Sequence, residues 1–154
     1  MDYVTVKWLH VLSSTFLFGT GIGSAFYMLF ANISRDIRAI AVVSRIVVVA
    51  DWTFTATTII IQPLTGYALI RMAGFPMHSR WIVWSIALYV MAAACWLPVV
   101  WLQMRLRDLA VEAARAGTAL PAHYWRYFRM WVVLGIPAFF AFVAIFYLMV
   151  GKPN

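Results

Sequence analysis

The chain has 154 residues, of which 65% are hydrophobic and 11% charged, and its formal net charge is +7. Soluble domains carry about 25% charged residues, so this composition excludes a water-soluble fold and indicates a protein whose solvent is lipid. Most arginines flank apolar runs, which favours contact with anionic lipid headgroups and excludes nucleic acid as the expected partner. The single cysteine, Cys95, excludes an intrachain disulfide.

Four apolar segments follow one another, each long enough to cross a bilayer at about 1.5 Å per residue. The first lacks the basic lead and cleavage site of a signal peptide, so we expect it to stay in the membrane. The second contains Pro63, which should bend it and free a backbone carbonyl one turn earlier. The predicted helices cover residues 4–31, 35–72, 80–116 and 121–150, with Ser34 as the cap of the second. Their short connections predict one domain over residues 1–154, an all-α, up-down-up-down bundle of four transmembrane helices.

The distribution of cations predicts how the bundle is oriented. Eight arginines lie at the end that holds the first and third connections: Arg35, Arg38, Arg45, Arg105, Arg107, Arg115, Arg126 and Arg129. Four cations lie at the end that holds both chain termini: Lys7, Arg71, Arg80 and Lys152. By the positive-inside rule the arginine-rich end should be cytoplasmic and both termini periplasmic, in a bacterial inner membrane. Tryptophans at both ends, among them Trp8 and Trp131, fit the aromatic belts of the two interfaces.

The first helix carries two features with different meanings. Gly19 and Gly23 lie four residues apart and form a small-residue face that lets a neighbouring helix approach closely. His10 lies near the outer end of the helix, where a histidine can ligate haem, relay protons or hydrogen-bond a neighbouring helix. Haem b would need a neutral imidazole and usually a second axial ligand. His78, in the turn between helices 2 and 3, is the candidate for that ligand, and nearby methionines are the alternative.

Helix 2 contributes the polar groups inside the membrane. Asp51 is the one acid well inside a span, where an ionised carboxylate normally pairs and faces the bundle interior. We expect a structural ion pair with Arg45 or Arg129, and a proton step in a redox or transport process is the alternative. Thr58 and Gln62 begin a polar strip that either joins helices by hydrogen bonds or lines a cavity. No metal-spaced cluster, phosphate loop or serine motif occurs, so no catalytic residue is assigned and the metal content stays open.

Short motifs are spread over the whole chain: Lys7-Trp8-Leu9-His10, Gly19-Thr20-Gly21, Gln62-Pro63-Leu64-Thr65-Gly66, Trp96-Leu97-Pro98, Gly135-Ile136-Pro137 and Lys152-Pro153. They resemble an uncharacterised family of bacterial four-helix integral membrane proteins, a domain-of-unknown-function group. The chain is more distantly similar to membrane-bound protoporphyrinogen oxidase and to the membrane domain of copper-resistance D proteins. The oxidase pattern has a lysine and a histidine in helix 3, where this chain has Trp84-Ser85 and Tyr89-Val90. The resemblance therefore implies a haem site of which His10 alone is present.

Three functions are compatible with these residues. The first is a non-catalytic subunit or accessory protein of a membrane complex, with respiratory or haem-containing partners or with further copies of itself. The second is a b-type haem or quinone-linked redox protein that uses His10. The third is a small-solute or metal transporter that uses the strip of Asp51 and Gln62. The first ranks ahead because no complete active site is visible, and a haem-linked oxidoreductase is the main enzymatic alternative.

Overall fold

The structure is a computed structural model that describes residues 1–153, and it contains four long helices joined by short turns. Each helix is long and apolar enough to cross a membrane. The helices are α1 (Tyr3–Ser34), α2 (Ile37–Ala73), α3 (Arg80–Ala116) and α4 (Ala122–Gly151). These bounds lie within a few residues of the predicted ones, and no strand occurs in the described part of the chain. The predicted all-α membrane fold is confirmed.

The start of α2 differs from its prediction. Arg35 adopts a left-handed backbone with φ of 60°, which ends α1 and leaves Ser34 as the last residue of that helix. Asp36 takes the capping position, and its carboxylate accepts hydrogen bonds from the N–H groups of Arg38 and Ala39. The prediction that Ser34 caps α2 is wrong because that residue still belongs to the preceding helix.

The other helix ends follow the expected rules. Asp2 caps α1 and accepts a 2.7 Å hydrogen bond from the Thr5 N–H. This bond lowers the pKa of the Asp2 carboxyl below its ordinary value, because it stabilises the charged form. Helix α3 ends at Ala116, and the next residue, Gly117, caps it with a φ of 64°, a conformation that favours glycine. Pro121 stands directly before the first residue of α4.

The tightly packed part of the bundle lies at its arginine-rich end. Buried apolar side chains from all four helices meet there: Met28, Ala31, Ile40, Ala41, Val47, Leu102, Leu106, Ala110, Tyr124 and Trp131. The Tyr124 hydroxyl donates a 2.7 Å hydrogen bond to the side-chain oxygen of Asn32, which joins α4 to α1. The Arg35 guanidinium lies 4.0 Å from the centroid of the Trp125 ring. The turn after α1 therefore lies beside the start of α4.

Both chain termini lie at the opposite end of the bundle. His10, near the start of α1, contacts Thr65 and Gly66 near the end of α2. The Lys152 ammonium lies 4.8 Å from the centroid of the Phe75 ring, so the end of α4 meets the turn between α2 and α3. The four helices therefore alternate in direction, as the up-down-up-down prediction requires. The assignment of this end to the periplasm stays a prediction.

Helix α2 is irregular at its centre. It is α-helical over Ile37–Ala50 and Ala56–Ala73, and a π-helical turn covers Asp51–Thr55 between them. A π-helical turn holds an extra residue and changes which side of the helix faces a neighbour, and such turns are frequent at functional sites. The part before the turn packs mainly against α3 and the part after it mainly against α1, whereas the backbones of α1 and α4 scarcely approach each other. A gap between α1 and α4 follows from this arrangement.

Candidate ligand cavity and histidine site

A cavity of about 430 Å³ occupies the gap and takes lining residues from all four helices. Its exposed lining residues all belong to α1 and α4: Gly21, Ile22, Ala25, Phe26, Leu29, Ile136, Phe139 and Phe140. The mouth of the cavity therefore lies between these two helices. Because both are membrane-spanning segments, the mouth opens sideways toward lipid.

The inner wall of this cavity carries an unusual set of polar atoms. Across residues 1–153, five buried side-chain nitrogen or oxygen atoms have no hydrogen-bond partner: Asp51 Oδ2, Thr55 Oγ1, Trp96 Nε1, Gln103 Oε1 and Trp131 Nε1. All five belong to residues that line the cavity. Buried polar groups in native proteins are nearly always hydrogen-bonded. Such a concentration at one wall is typical of a site that receives the polar end of a ligand.

Asp51 lies at the start of the π-helical turn and is 5% exposed. Its carboxyl group lies near the Thr55 hydroxyl and the Trp96 indole N–H, but these groups do not form a hydrogen bond of ordinary geometry. The expected ion pair with Arg45 or Arg129 is wrong, because neither arginine makes a salt bridge with Asp51 in the described part of the chain. Both arginines are exposed, and long cationic side chains at helix ends extend toward the headgroups rather than inward.

Two glycines leave room for the cavity. Gly21 on α1 and Gly135 on α4 line it, and neither has a heavy atom within 4 Å of the place where a Cβ would stand. Aromatic side chains form much of the remaining wall, and Phe18 stacks on Phe139 with ring centroids 5.9 Å apart. The combination of apolar walls with a few polar groups is that of small-molecule sites in general.

The two indoles and Gln103 were not among the predicted site residues. A signal for them exists in the spacing along α3, where the lining residues Tyr89, Ala92, Trp96, Val99 and Gln103 recur every three or four residues. That spacing defines one helix face. This face places polar atoms of Tyr89 and Gln103 at its two ends, so they could have been predicted from the spacing. Trp131 could not, because its position in the sequence is that of an ordinary interfacial tryptophan.

His10 forms a second polar site, between α1 and α2. Its Nδ1 lies 2.8 Å from the Thr65 hydroxyl oxygen, and that hydroxyl lies 2.8 Å from the Ile61 carbonyl, to which it donates. If the single hydroxyl proton is used in this way, Thr65 accepts the proton of His10 Nδ1. The neutral imidazole then keeps its free lone pair on Nε2, which is the arrangement typical of metal-ligating histidines.

The segment of α2 from Gln62 to Gly66 fixes the position of the imidazole. A Cβ at position 66 would stand 3.2 Å from His10 Cε1, so Gly66 allows the ring to lie against the helix backbone. One turn further along α1, the Ser13 hydroxyl donates a hydrogen bond to the side-chain oxygen of Gln62. His10 is half-buried and Ser13 is 6% exposed, so the contacts turn inward rather than toward lipid.

Two other predicted site residues, His78 and Thr58, neither line the cavity nor contact His10 by a hydrogen bond in the part of the chain that the structure describes. His78 is exposed in the turn after α2 and shares no hydrogen bond with His10 within residues 1–153. Thr58 is buried and donates to the Phe54 carbonyl of its own helix, so the polar strip that it was predicted to form with Gln62 stays a prediction. No group of three or more histidine, cysteine or acidic side chains that could hold a metal occurs in the described chain.

Gly19 and Gly23 have no heavy atom within 4 Å of their Cβ positions. The helix-packing face that they were predicted to form is therefore not used within this chain. The prediction stays open for a helix of another chain.

Four apolar helices around a cavity that opens to lipid define a polytopic integral membrane protein. The chain belongs to the family described as "Predicted integral membrane protein (DUF2269)", whose family model matches residues 4–153. This match confirms the resemblance to an uncharacterised membrane family over nearly the whole chain. No curated protein and no solved structure matches the chain.

Proposed function

We propose that the protein is a non-catalytic subunit of the bacterial inner membrane that binds a lipid-soluble ligand between α1 and α4. One observation carries the proposal: the residues whose buried polar atoms lack partners all line a cavity whose mouth faces lipid. A ligand with an apolar tail and a polar head matches both properties. The volume of about 430 Å³ is within the ordinary range for small-molecule sites.

The position of the polar wall supports entry from the bilayer. Asp51 and Gln103 are each 5% exposed, whereas Phe26 at the mouth is 55% exposed. A molecule that diffuses in the membrane plane would pass apolar side chains first and meet hydrogen-bonding groups last. Such a route removes no charged group from water, because the ligand is already dissolved in lipid.

The chain offers a matched pair of variants for testing the cavity. Gly21→Leu adds a side chain on the cavity wall, where no heavy atom of the protein blocks its Cβ. Gly19→Leu adds the same side chain on α1 at a position that is equally unobstructed but does not line the cavity. Both variants should fold, since leucine favours helix more than glycine does.

The proteins would be purified from membranes into nanodiscs, and bound small molecules would be identified by native mass spectrometry and extraction. We expect one class of lipid-soluble molecule to remain bound to the wild type and to Gly19→Leu. Gly21→Leu should lose about nine-tenths of it, which corresponds to about 1.4 kcal/mol of binding free energy. Equal retention by both variants, or no retained molecule in the wild type, would contradict the proposal.

A second candidate function is supported by the hydrogen bonds of His10. With its Nδ1 proton donated to Thr65, His10 would have Nε2 free to bind a metal and would hold a haem b. Haem would supply one-electron transfer when bound. Gly66 would keep the imidazole close to α2, and Thr65 would prevent it from rotating. His78 is exposed in the turn after α2, so a second ligand would be left to a methionine, a partner or solvent.

A further inference from the structure

We infer that the polar wall of the cavity is built for the head of a quinone, in both its oxidised and its reduced form. The inference rests on the proposed function, because it names the class of ligand that the same cavity takes. Its basis is the chemistry of the five polar atoms without partners and the shape of the walls around them.

Two of these atoms can only donate hydrogen bonds. The indole nitrogens of Trp96 on α3 and Trp131 on α4 carry one N–H each and have no acceptor function. Trp131 is 6% exposed, so its N–H has little access to other acceptors. A ligand that pairs with both indoles would present two acceptor oxygens to groups that stand on different helices. The two carbonyl oxygens of a quinone meet this requirement, because they lie on opposite edges of one ring.

The other atoms include acceptors. Gln103 Oε1 and Asp51 Oδ2 are acceptors without a bound donor. The Thr55 hydroxyl can either donate or accept a hydrogen bond. A quinol has two hydroxyl groups and can donate to Gln103 and Asp51 while it still accepts from the indoles. The same wall therefore offers partners to both redox states, and no proton or electron transfer is needed for this to hold.

Other classes of lipid-soluble molecule fit less well. A simple isoprenoid alcohol has one oxygen and leaves most of the wall without partners. A fatty acid brings a second carboxyl group beside Asp51, and like charges at close range cannot both ionise. A cationic amphiphile could pair with Asp51, but an ammonium head has no acceptor for the two indole N–H donors. A neutral head with two oxygens avoids all three costs.

The walls are also suited to a flat ring. Tyr89, Phe18 and Phe142 line the cavity beside the polar groups, and aromatic side chains pack well against a planar head. The mouth between α1 and α4 then provides an exit for an isoprenoid tail into the bilayer, past Gly21 and Gly135.

An azidoquinone photoprobe with an isoprenoid tail tests this assignment on the full-length protein in nanodiscs. After illumination, peptide mass spectrometry should locate the adducts on α3 between residues 89 and 103 and on α4 between residues 131 and 142. Gln103→Leu keeps the side-chain size and Trp131→Phe keeps an aromatic ring, and each removes one polar group. Each should weaken labelling about tenfold, the factor expected for one hydrogen bond lost in a buried site. Trp84→Phe removes an exposed indole outside the cavity and should leave labelling unchanged.

Competition experiments distinguish the quinone assignment from the more general proposal of a cavity for lipid-soluble ligands. Unlabelled ubiquinone and menaquinone should displace the probe, whereas farnesol and oleic acid should not. Displacement by farnesol or oleic acid as effective as that by the quinones would overturn the quinone assignment and leave a general lipid site. Labelling that persists in Gly21→Leu would overturn the cavity itself, and with it the proposed function. Thermal unfolding of each variant checks that weak labelling does not reflect misfolding.

Discussion

The hydroxyl group of Tyr89 on α3 donates a 2.5 Å hydrogen bond to the backbone carbonyl of Ile59 on α2. Pro63 stands four residues after Ile59 and has no N–H, so this carbonyl has no partner within its own helix. An unpaired carbonyl in a membrane interior is costly, and Tyr89 removes that cost. Both residues line the cavity, so the bond joins two of its walls at the place where Pro63 removes a backbone hydrogen bond from α2.

This relationship predicts a coupled pair of mutations. Tyr89→Phe should lower the free energy of unfolding by about 1–3 kcal/mol, because it leaves the Ile59 carbonyl without a partner. Pro63→Ala restores an N–H that can bond the same carbonyl, so Tyr89→Phe should cost clearly less in that background. Unfolding in detergent by increasing denaturant, with the four proteins of the double-mutant cycle, measures the coupling. Strictly additive effects would show that the two residues do not share this carbonyl.

The histidine site predicts a spectroscopic signature. Protein expressed with haem supplied should show a Soret band that shifts on reduction with dithionite, and His10→Ala should abolish it. Thr65→Val removes the acceptor of the Nδ1 proton and should weaken haem retention about 10- to 100-fold, as loss of such a second partner does in other metal sites. His123→Ala is the control, because His123 is exposed near the start of α4. A colourless wild-type protein would exclude haem as its ligand.

The fold could be predicted from the sequence because membrane helices obey strong local rules. Apolar length fixes the four spans, and Gly117 and Pro121 mark a connection that the structure retains. The carbonyl freed by Pro63 was also predictable, but its partner Tyr89 was not, because a bond between helices depends on their packing. The His10 position was foreseen as a functional candidate for its chemistry, and its contact with Thr65 again needed the structure.

The cavity could not be predicted from the sequence, for a different reason. Its volume arises from the weak contact between α1 and α4 and from the π-helical turn Asp51–Thr55, and no single residue type encodes either feature. Asp51 was singled out because a carboxylate inside a span is rare. Its expected arginine partners were chosen by their depth in the membrane, but the carboxyl is buried beside Trp96 and both arginines are exposed.

The packed end of the bundle predicts where stability resides. Tyr124 is 0% exposed and Asn32 is 1% exposed, and their 2.7 Å hydrogen bond is isolated from solvent. Tyr124→Phe keeps the ring and should lower the free energy of unfolding by about 1–3 kcal/mol, since the Asn32 oxygen loses its donor. Tyr147→Phe, at a tyrosine that is 72% exposed on the same helix, should change it by less than about 0.5 kcal/mol. Equal melting temperatures for the two variants would contradict this assignment.

The open glycine face of α1 predicts association with another helix. Gly19 and Gly23 have free space at their Cβ positions, so no helix of the same chain accounts for their spacing. If the protein acts as a subunit, a partner helix should pack there, because small residues allow close contact between backbones in lipid. Gly23→Leu should then reduce the mass of the native assembly, measured by light scattering in detergent, toward that of a single 17.5 kDa chain. Ala94→Leu adds the same bulk at an exposed site on α3 and should leave the assembly intact.

A wild-type protein that is already monomeric and purifies without partners would remove the basis for a subunit role. Ligand binding in the cavity would be unaffected by that result.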